Sequence, residues 1–407
     1  MTVRDVAPGT MAIESARAAA REVVKNGPLS RSEVARRLDL SPASLTRLAK
    51  PLIDSGLLVE GEPQADPVHG RIARPIDVAS NLRFIGVKVI LDAVYAVVTT
   101  ARAEIVSRAT LPLTATDPDT VMNTIVALVS SLTDAKEAKG LGVALGGHSL
   151  DGQMVNVSRS LDWHGVPLGT TVAGATGFPT VVENDVLALT QSQHWFGMGR
   201  GHTDFALITV GVGVGCSLVI HDRVVRREDP NTPTAGHFVI DRTGPLCSDG
   251  HRGCAMAYLS SGSICQTVSI GLGRMVDYDE VLALATAGDP VASRVVTESA
   301  TALGRLISSV SMLTGIQDVL LSGEGIGLAT TAPDAVAAGI AVDRPTWARP
   351  IATRIEPMDF YEWARGGAVI AIQNYLNTYP VDFAAARNAE TTRVSALSSP
   401  TLPGKTA

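Results

Sequence analysis

Aromatic residues are scarce, at 4% of 407 positions, too few for the stacking platforms with which proteins hold single-stranded nucleic acid. Cysteine is scarcer still. Four thiols, Cys216, Cys247, Cys254 and Cys265, cannot form a disulfide framework in a chain of this size, and a metal is the expected link among them. No stretch approaches the roughly eighteen uninterrupted apolar residues of a membrane span. The first residues carry Arg4, Asp5, Glu14 and Arg17 where a secretory leader would need an apolar core, so a cytoplasmic location is expected. Charged residues make up 18% and hydrophobic ones 45%, a balance that suits an α/β protein rich in Ala, Val and Gly. The length implies two to three domains.

What is present begins with residues 28–58, PLSRSEVARRLDLSPASLTRLAKPLIDSGLL. Ser30 is placed to cap a helix containing Val34 and Leu38, with Glu33 three residues on as a capping-box partner. Asp39-Leu40 makes a turn. Ser41 then caps a second helix with Pro42 at its first position, and Leu45, Leu48 and Leu52 fall on one face. Ala43, Ser44, Thr46, Arg47 and Lys50 remain outward, small, hydroxyl and basic side chains suited to base edges and phosphates in a DNA major groove. A plain α-hairpin would show the same amphipathicity, so charge decides. Residues 15–50 hold eight Lys/Arg and three acids, a net of +5 in a chain whose total is −6, which leaves −11 on the remainder. A basic module on an acidic body is the footprint of a head that binds double-stranded DNA.

Residues 1–12 are expected to be disordered, and Ile13, Ala16, Ala20, Val23 and Val24 form a helical stripe that opens a module over 13–78. After Val59, the run GEPQADPVHGRIARPIDV fits the wing of a winged helix, with Arg71 and Arg74 placed to reach a minor groove. A solvated basic linker is the alternative reading.

From Phe84 the hydrophobic period changes to that of strands, and FIGVKVILDAVYAVVTTARAEIV reads as strand, turn, strand, turn, strand. Residues 205–225, about 120 positions later, repeat the plan, which implies a duplicated α/β body with a cleft between its halves. The first lobe is expected over 82–195, joined by a C-terminal helix at 361–376, and the second over 196–360. Further strands are expected at 141–145 and 180–182, and helices at 118–132, 185–195 and 290–313. The tail from 387 to 407, rich in Ser, Thr and Pro, is expected to be disordered.

Three groups of residues could carry chemistry. Glu183-Asn184-Asp185 closes a strand and opens a helix, which aims polar side chains into the crevice where α/β sheets bind ligands. Asp185 there is either a base or hydroxyl acceptor, or a helix cap. Gly211-Val-Gly-Val-Gly215 is a glycine turn that could approach a phosphate or simply shape a hairpin. In GHFVIDRTGPLCSDGHRGC, His237, Cys247, Asp249 and Cys254 have a spacing that fits zinc, with His251 as a substitute for Asp249 and a metal-free loop as the alternative.

Taken together, from about Ile13 to Leu376, these positions resemble the ROK family (repressors, open reading frames and kinases), specifically its transcriptional regulators. The matching pieces, in the family's order, are the head SRSEVARRLDLSPASLTRL, GRIARP, LGVALGGHSLDG, LDWHGVPL, the triplet at 183–185, the glycine turn, the knuckle and LLSGEG. The resemblance implies an N-terminal winged helix-turn-helix followed by a duplicated α/β, actin-like/ribonuclease H-like body. It also implies a structural zinc and a homodimer or homotetramer on an operator. The effector would be a sugar or sugar phosphate read by Asn184, Asp185, Thr234 and His237.

The departures from the family are specific. Its kinases open the first phosphate loop with Asp-x-Gly-Gly-Thr, where this chain has Lys88-Val-Ile-Leu-Asp92. Val212 replaces a Thr in the second loop. Thr234 and Met256 replace two Glu of sugar-binding members, and Asp249 replaces the second knuckle Cys. A Lys and bulky aliphatics cannot bring backbone close to phosphate. The expected function is therefore a non-enzymatic regulator, a repressor under small-molecule control. The alternatives are a sugar kinase that carries a DNA-binding head, and a regulator whose signal is a protein partner.

Overall fold

A computed structural model describes residues 8–65, 72–229, 234–356 and 359–383. Arg71 and the tail from 387 lie outside the described residues. The chain divides into two compact units. One holds residues 1–84, 100–104 and 372–407, and the other holds 85–99 and 105–371.

The first unit is built on three helices, Pro8–Asn26, Arg31–Arg37 and Pro42–Asp54. The expectation that residues 1–12 lack structure is corrected for 8–12, because Pro8 stands at the first helical position, where a missing N–H costs nothing. Both serine caps form: Ser30 accepts from Glu33 N at 3.2 Å and Ser41 from Ser44 N at 3.1 Å. The Glu33 carboxylate does not complete a capping box. It binds Arg36 and Arg37 instead, which hold it down to about 2, well below the usual carboxylate range. Ala16, Ala20, Val23, Val34, Leu45, Leu48 and Leu52 are buried, as the helical stripes require. Strand Leu58–Glu60 pairs antiparallel with Ile76–Val78, and Gln64–Ala65 pairs with Ile72–Ala73 as a second short ribbon.

Distant segments complete this unit. Arg102, in the 100–104 turn, pairs with Asp77 and donates to Val23 O. Arg17 donates to Tyr379 O, Arg21 to Asn377 Oδ1 at 2.7 Å, and the Tyr379 hydroxyl to Ser55 Oγ at 2.9 Å. Nothing local in the sequence announces these partners.

The second unit carries two five-stranded sheets of one topology. In the first, the order is Thr180–Asn184, Ala138–Leu145, Arg83–Val89, Ala93–Thr100, Ile105–Pro112. In the second it is Arg223–Val224, Val214–Ile220, Phe205–Val210, Asp318–Ser322, Ala352–Ile355. Numbered within its own lobe, each sheet has strands 5-4-1-2-3 from one edge to the other, so the duplication seen in the hydrophobic pattern is a duplication of fold. The expected helices at 118–132, 185–195 and 290–313 correspond to Pro118–Ser131, Asp185–Phe196 and Pro290–Thr314.

Helix Phe360–Thr378 lies against the first sheet at van der Waals backbone distance. A Cβ on Gly86 would sit 2.0 Å from Ala364 O, and one on Gly142 would sit 1.9 Å from Gly367 O. Both glycines are therefore steric requirements. Gly142→Ala should destabilise the body by at least about 1–3 kcal/mol, seen as a lower midpoint of urea unfolding. Gly174→Ala, in a helix with open space around the new methyl, should not destabilise it.

Candidate functional site

The carboxyl ends of the first sheet's strands bring together Lys88, Gly146, Gly147 and Asn184-Asp185. Asn184 is the N-cap of helix Asp185–Phe196: its Oδ1 accepts from Leu187 N at 3.2 Å and its Nδ2 donates to Gly147 O at 2.9 Å. These bonds fix the Asn184 amide at the strand–helix junction, beside Asp185.

Asp185 has Oδ1 held by Val186 N at 2.9 Å and by Asn184 Nδ2 at 3.3 Å. Its Oδ2 forms an ion pair with the Lys88 ammonium. Lys88 is only 5% exposed, and its ammonium lies 5.0 Å from the centre of the Trp363 ring, a cation–π contact that partly replaces lost hydration. Sequence spacing gave no sign of this pair across 97 residues.

Beside it, buried Glu183 meets Arg226 at 2.5 Å and accepts from Asn184 N at 2.9 Å. Burial pushes the Glu183 carboxyl above its usual range, and Arg226 pulls the other way.

The glycine turn joins strands Phe205–Val210 and Val214–Ile220. Its Val212 N–H donates to Glu324 Oε1 at 2.8 Å, and a Cβ on Gly211 would collide with the Glu324 carboxylate. The amide that could cradle a phosphate is thus taken by an acidic side chain from the LLSGEG run. A cavity of about 570 Å³ lies at the other, amino ends of Phe205–Val210 and Asp318–Ser322, lined by His202, Asp204, Asp318 and Arg349 among others. Its acids and bases do not converge with the groups above, so it is not the candidate site.

In the knuckle, His237, Cys247, His251 and Cys254 each present a ligand atom, all within 4.8 Å of one another. The expected ligand Asp249 is corrected to His251. Gly250, at φ +85°, turns the chain between them. The Asp249 carboxylate instead meets Arg159 and His237 Nε2, both at 3.4 Å. Cys247 Sγ lies 3.7 Å from the other His237 nitrogen, Nδ1. His251 Nε2 is buried with no hydrogen-bond partner among the described residues, the condition expected of a nitrogen that waits for a cation. Two thiolates and two imidazoles are a donor set for tetrahedral zinc, and the residues present fit it. Thr234 is exposed, and its Oγ1 would lie 3.4 Å from a Cβ on Gly236, with the Met256 methyl on the same side at 3.0 Å.

On helix Pro42–Asp54, Thr46 Oγ1 donates to Pro42 O and Lys50 pairs with Asp54. Ser44 is tied to Ser41. Arg47 and Arg74 are exposed and have no partner among the described residues.

The ROK family model matches residues 84–342. The glucokinase of Thermotoga maritima is 33% identical over 173 residues, which cover 42% of this chain and 53% of that protein. The chain thus matches about half the length of that relative. The transcriptional regulator NagC of Escherichia coli is 23% identical over 319 residues, 75% of this chain and 79% of NagC. The xylose repressor of Bacillus subtilis is 22% identical over 278 residues, 66% of this chain and 71% of the repressor. Among solved structures, a ROK family transcriptional regulator superposes with a TM-score of 0.77 at 20% identity, covering 90% of this chain and 96% of that one. A glucokinase from Streptomyces griseus gives 0.62 at 24% identity, with 72% and 99% covered.

The donor set yields a prediction about metal. Protein purified without chelators or affinity metals should carry about one zinc per chain by elemental analysis, and His251→Ala should abolish it. Asp249→Ala should keep the metal with an affinity lowered by about 10–100-fold, as for a carboxylate that orients a ligating imidazole. Equal zinc loss in both variants would return Asp249 to the ligand set.

Proposed function

The chain belongs to the ROK family, and from that membership we propose that it is a one-component transcriptional repressor controlled by a small molecule. The observation that carries this reading is the exposed face of helix Pro42–Asp54. It is backed by buried Leu45, Leu48 and Leu52 and presents Arg47 with no partner among the described residues. In this reading Ser44, Thr46, Arg47 and Lys50 meet base edges and phosphates of an operator, and Arg71 and Arg74 meet its backbone or minor groove. A homodimer or homotetramer engages two half-sites. The body binds a sugar or sugar derivative through Asp185, with Thr234 and the zinc-held His237 loop on the facing lobe. Zinc at the knuckle is structural, since four protein donors leave no open position for a reacting water.

A second reading, a sugar kinase with a DNA-binding head, is favoured by the 33% identity to the T. maritima glucokinase. Two internal contacts weigh against it. Lys88 neutralises Asp185, a carboxylate that phosphoryl transfer would need free to take a proton from a sugar hydroxyl. Glu324 occupies the Val212 amide and would repel a nucleotide's phosphates.

Arg47→Ala should weaken specific operator binding by roughly 1–3 kcal/mol, as for loss of a bidentate guanine contact, measured by gel-shift titration. An unchanged affinity would remove Arg47 from the readout. Asp185→Asn should leave effector-free operator binding intact and blunt the response to effector. A coupled assay should detect no ATP-dependent phosphorylation of glucose, xylose or N-acetylglucosamine by the wild type; turnover abolished in Asp185→Asn would select the kinase reading.

A further inference from the structure

The effector site proposed above already contains a cation, and the inference that follows rests on that reading of the Asp185 cleft. Lys88 Nζ has two partners in the described structure: Asp185 Oδ2 and the face of Trp363. The other Asp185 oxygen is held by Val186 N and Asn184 Nδ2. Of the two oxygens, Oδ2, which balances the ammonium and has no other partner among the described residues, is the more open to a ligand hydroxyl.

The sign of the consequence follows from burial. If a neutral sugar drew Oδ2 away, Lys88, 5% exposed, would keep only a ring face, and an uncompensated buried cation is strongly unfavourable. A ligand that carries its own anion removes that penalty, because the anion takes the ammonium while a hydroxyl takes the carboxylate. The neighbouring acid does not compete for Lys88, since Glu183 is matched by Arg226.

We propose that Lys88 is the specificity-determining residue of the cleft, and that the effector is a polyol bearing an anionic group, phosphate or carboxylate, bound by the ammonium of Lys88 with a hydroxyl on Asp185. The pair then acts as a two-point reader. Its ion pair is the ligand-free state, and exchange of partners is the bound state.

Isothermal titration of the full-length protein tests this with matched probes: glucose against glucose 6-phosphate and gluconate, and N-acetylglucosamine against its 6-phosphate, with inorganic phosphate as the bare anion. At least one anionic derivative should bind about tenfold or more tightly than its neutral parent and than inorganic phosphate. The phosphate and carboxylate arms distinguish the two sources of charge. Lys88→Met should bring the ratio of derivative to parent close to one, and Lys88→Arg should retain most of it. Should Lys88→Met fold poorly around an unpaired Asp185, the charge-neutral double variant Lys88→Met with Asp185→Asn replaces it, with the same loss expected. The proposal is overturned if the preference survives loss of the Lys88 charge, or if no anionic polyol binds. It is also overturned if a neutral sugar binds the wild type as well as its derivatives; binding of that kind that depends on Asp185 would leave the cleft as a sugar site and remove only the role of Lys88.

Discussion

The contact on which most of the body depends is a backbone-to-backbone one, between helix Phe360–Thr378 and the two central strands that carry Gly86 and Gly142. No side chain can intervene there, so the helix has one possible depth against the sheet. That depth sets what the helix's own side chains reach. Trp363 comes under the Lys88 ammonium, and a lysine buried beside Asp185 becomes tolerable because a ring face and a carboxylate both meet it. Further along the same helix, Tyr375 packs edge-on against Phe84, and beyond its end Tyr379 closes on Ser55 and Arg17 within the first unit.

Local signals in the sequence proved reliable wherever the physics is local. Period-two hydrophobicity over 84–112 and 205–225 marked the first three strands of each sheet, and Ser30 and Ser41 marked their helix starts, because alternation and capping act over a few residues. Helices Ser261–Leu272, Tyr278–Thr286 and Pro333–Val342 escaped notice. Ser261–Leu272 and Pro333–Val342 are rich in Ala, Gly and Ser, and their faces differ little in polarity. The completion of the first unit by residues 100–104 and 372–383 was also hidden, since Arg102 and Tyr379 find their partners across tens to hundreds of positions.

The candidate site shows the same division. The 183–185 triplet could be placed at a strand's end from pattern alone, but the roles within it depend on partners. Asn184 caps Leu187 and holds Gly147, while Asp185 turns one oxygen to Lys88. In the knuckle, Asp249 and His251 are both within plausible ligand spacing of Cys247. The choice falls to His251 through a left-handed Gly250, a backbone fact that composition does not encode. Asp249 meets the ring of His237 from the nitrogen opposite the thiol, where a carboxylate can orient an imidazole without coordinating.

The two internal contacts in the cleft have opposite charge, and that opposition constrains what the body can hold. A nucleoside triphosphate with its magnesium needs free amides at the glycine turn and a carboxylate free to accept a proton. This chain supplies Glu324 to the amide of Val212 and Lys88 to the carboxylate of Asp185. The Lys88 contact satisfies a half-buried carboxylate, whereas the Glu324 contact lies at the exposed tip of the glycine turn. Undoing the Glu324 contact exposes an amide to an anion at the cost of releasing an acid beside it. Undoing the Lys88 contact releases a cation and an acid together, a pair that a ligand with both a hydroxyl and an anion can satisfy without any bond being broken. On the proposed reading, the electrostatics of the cleft suit a ligand that is held rather than turned over.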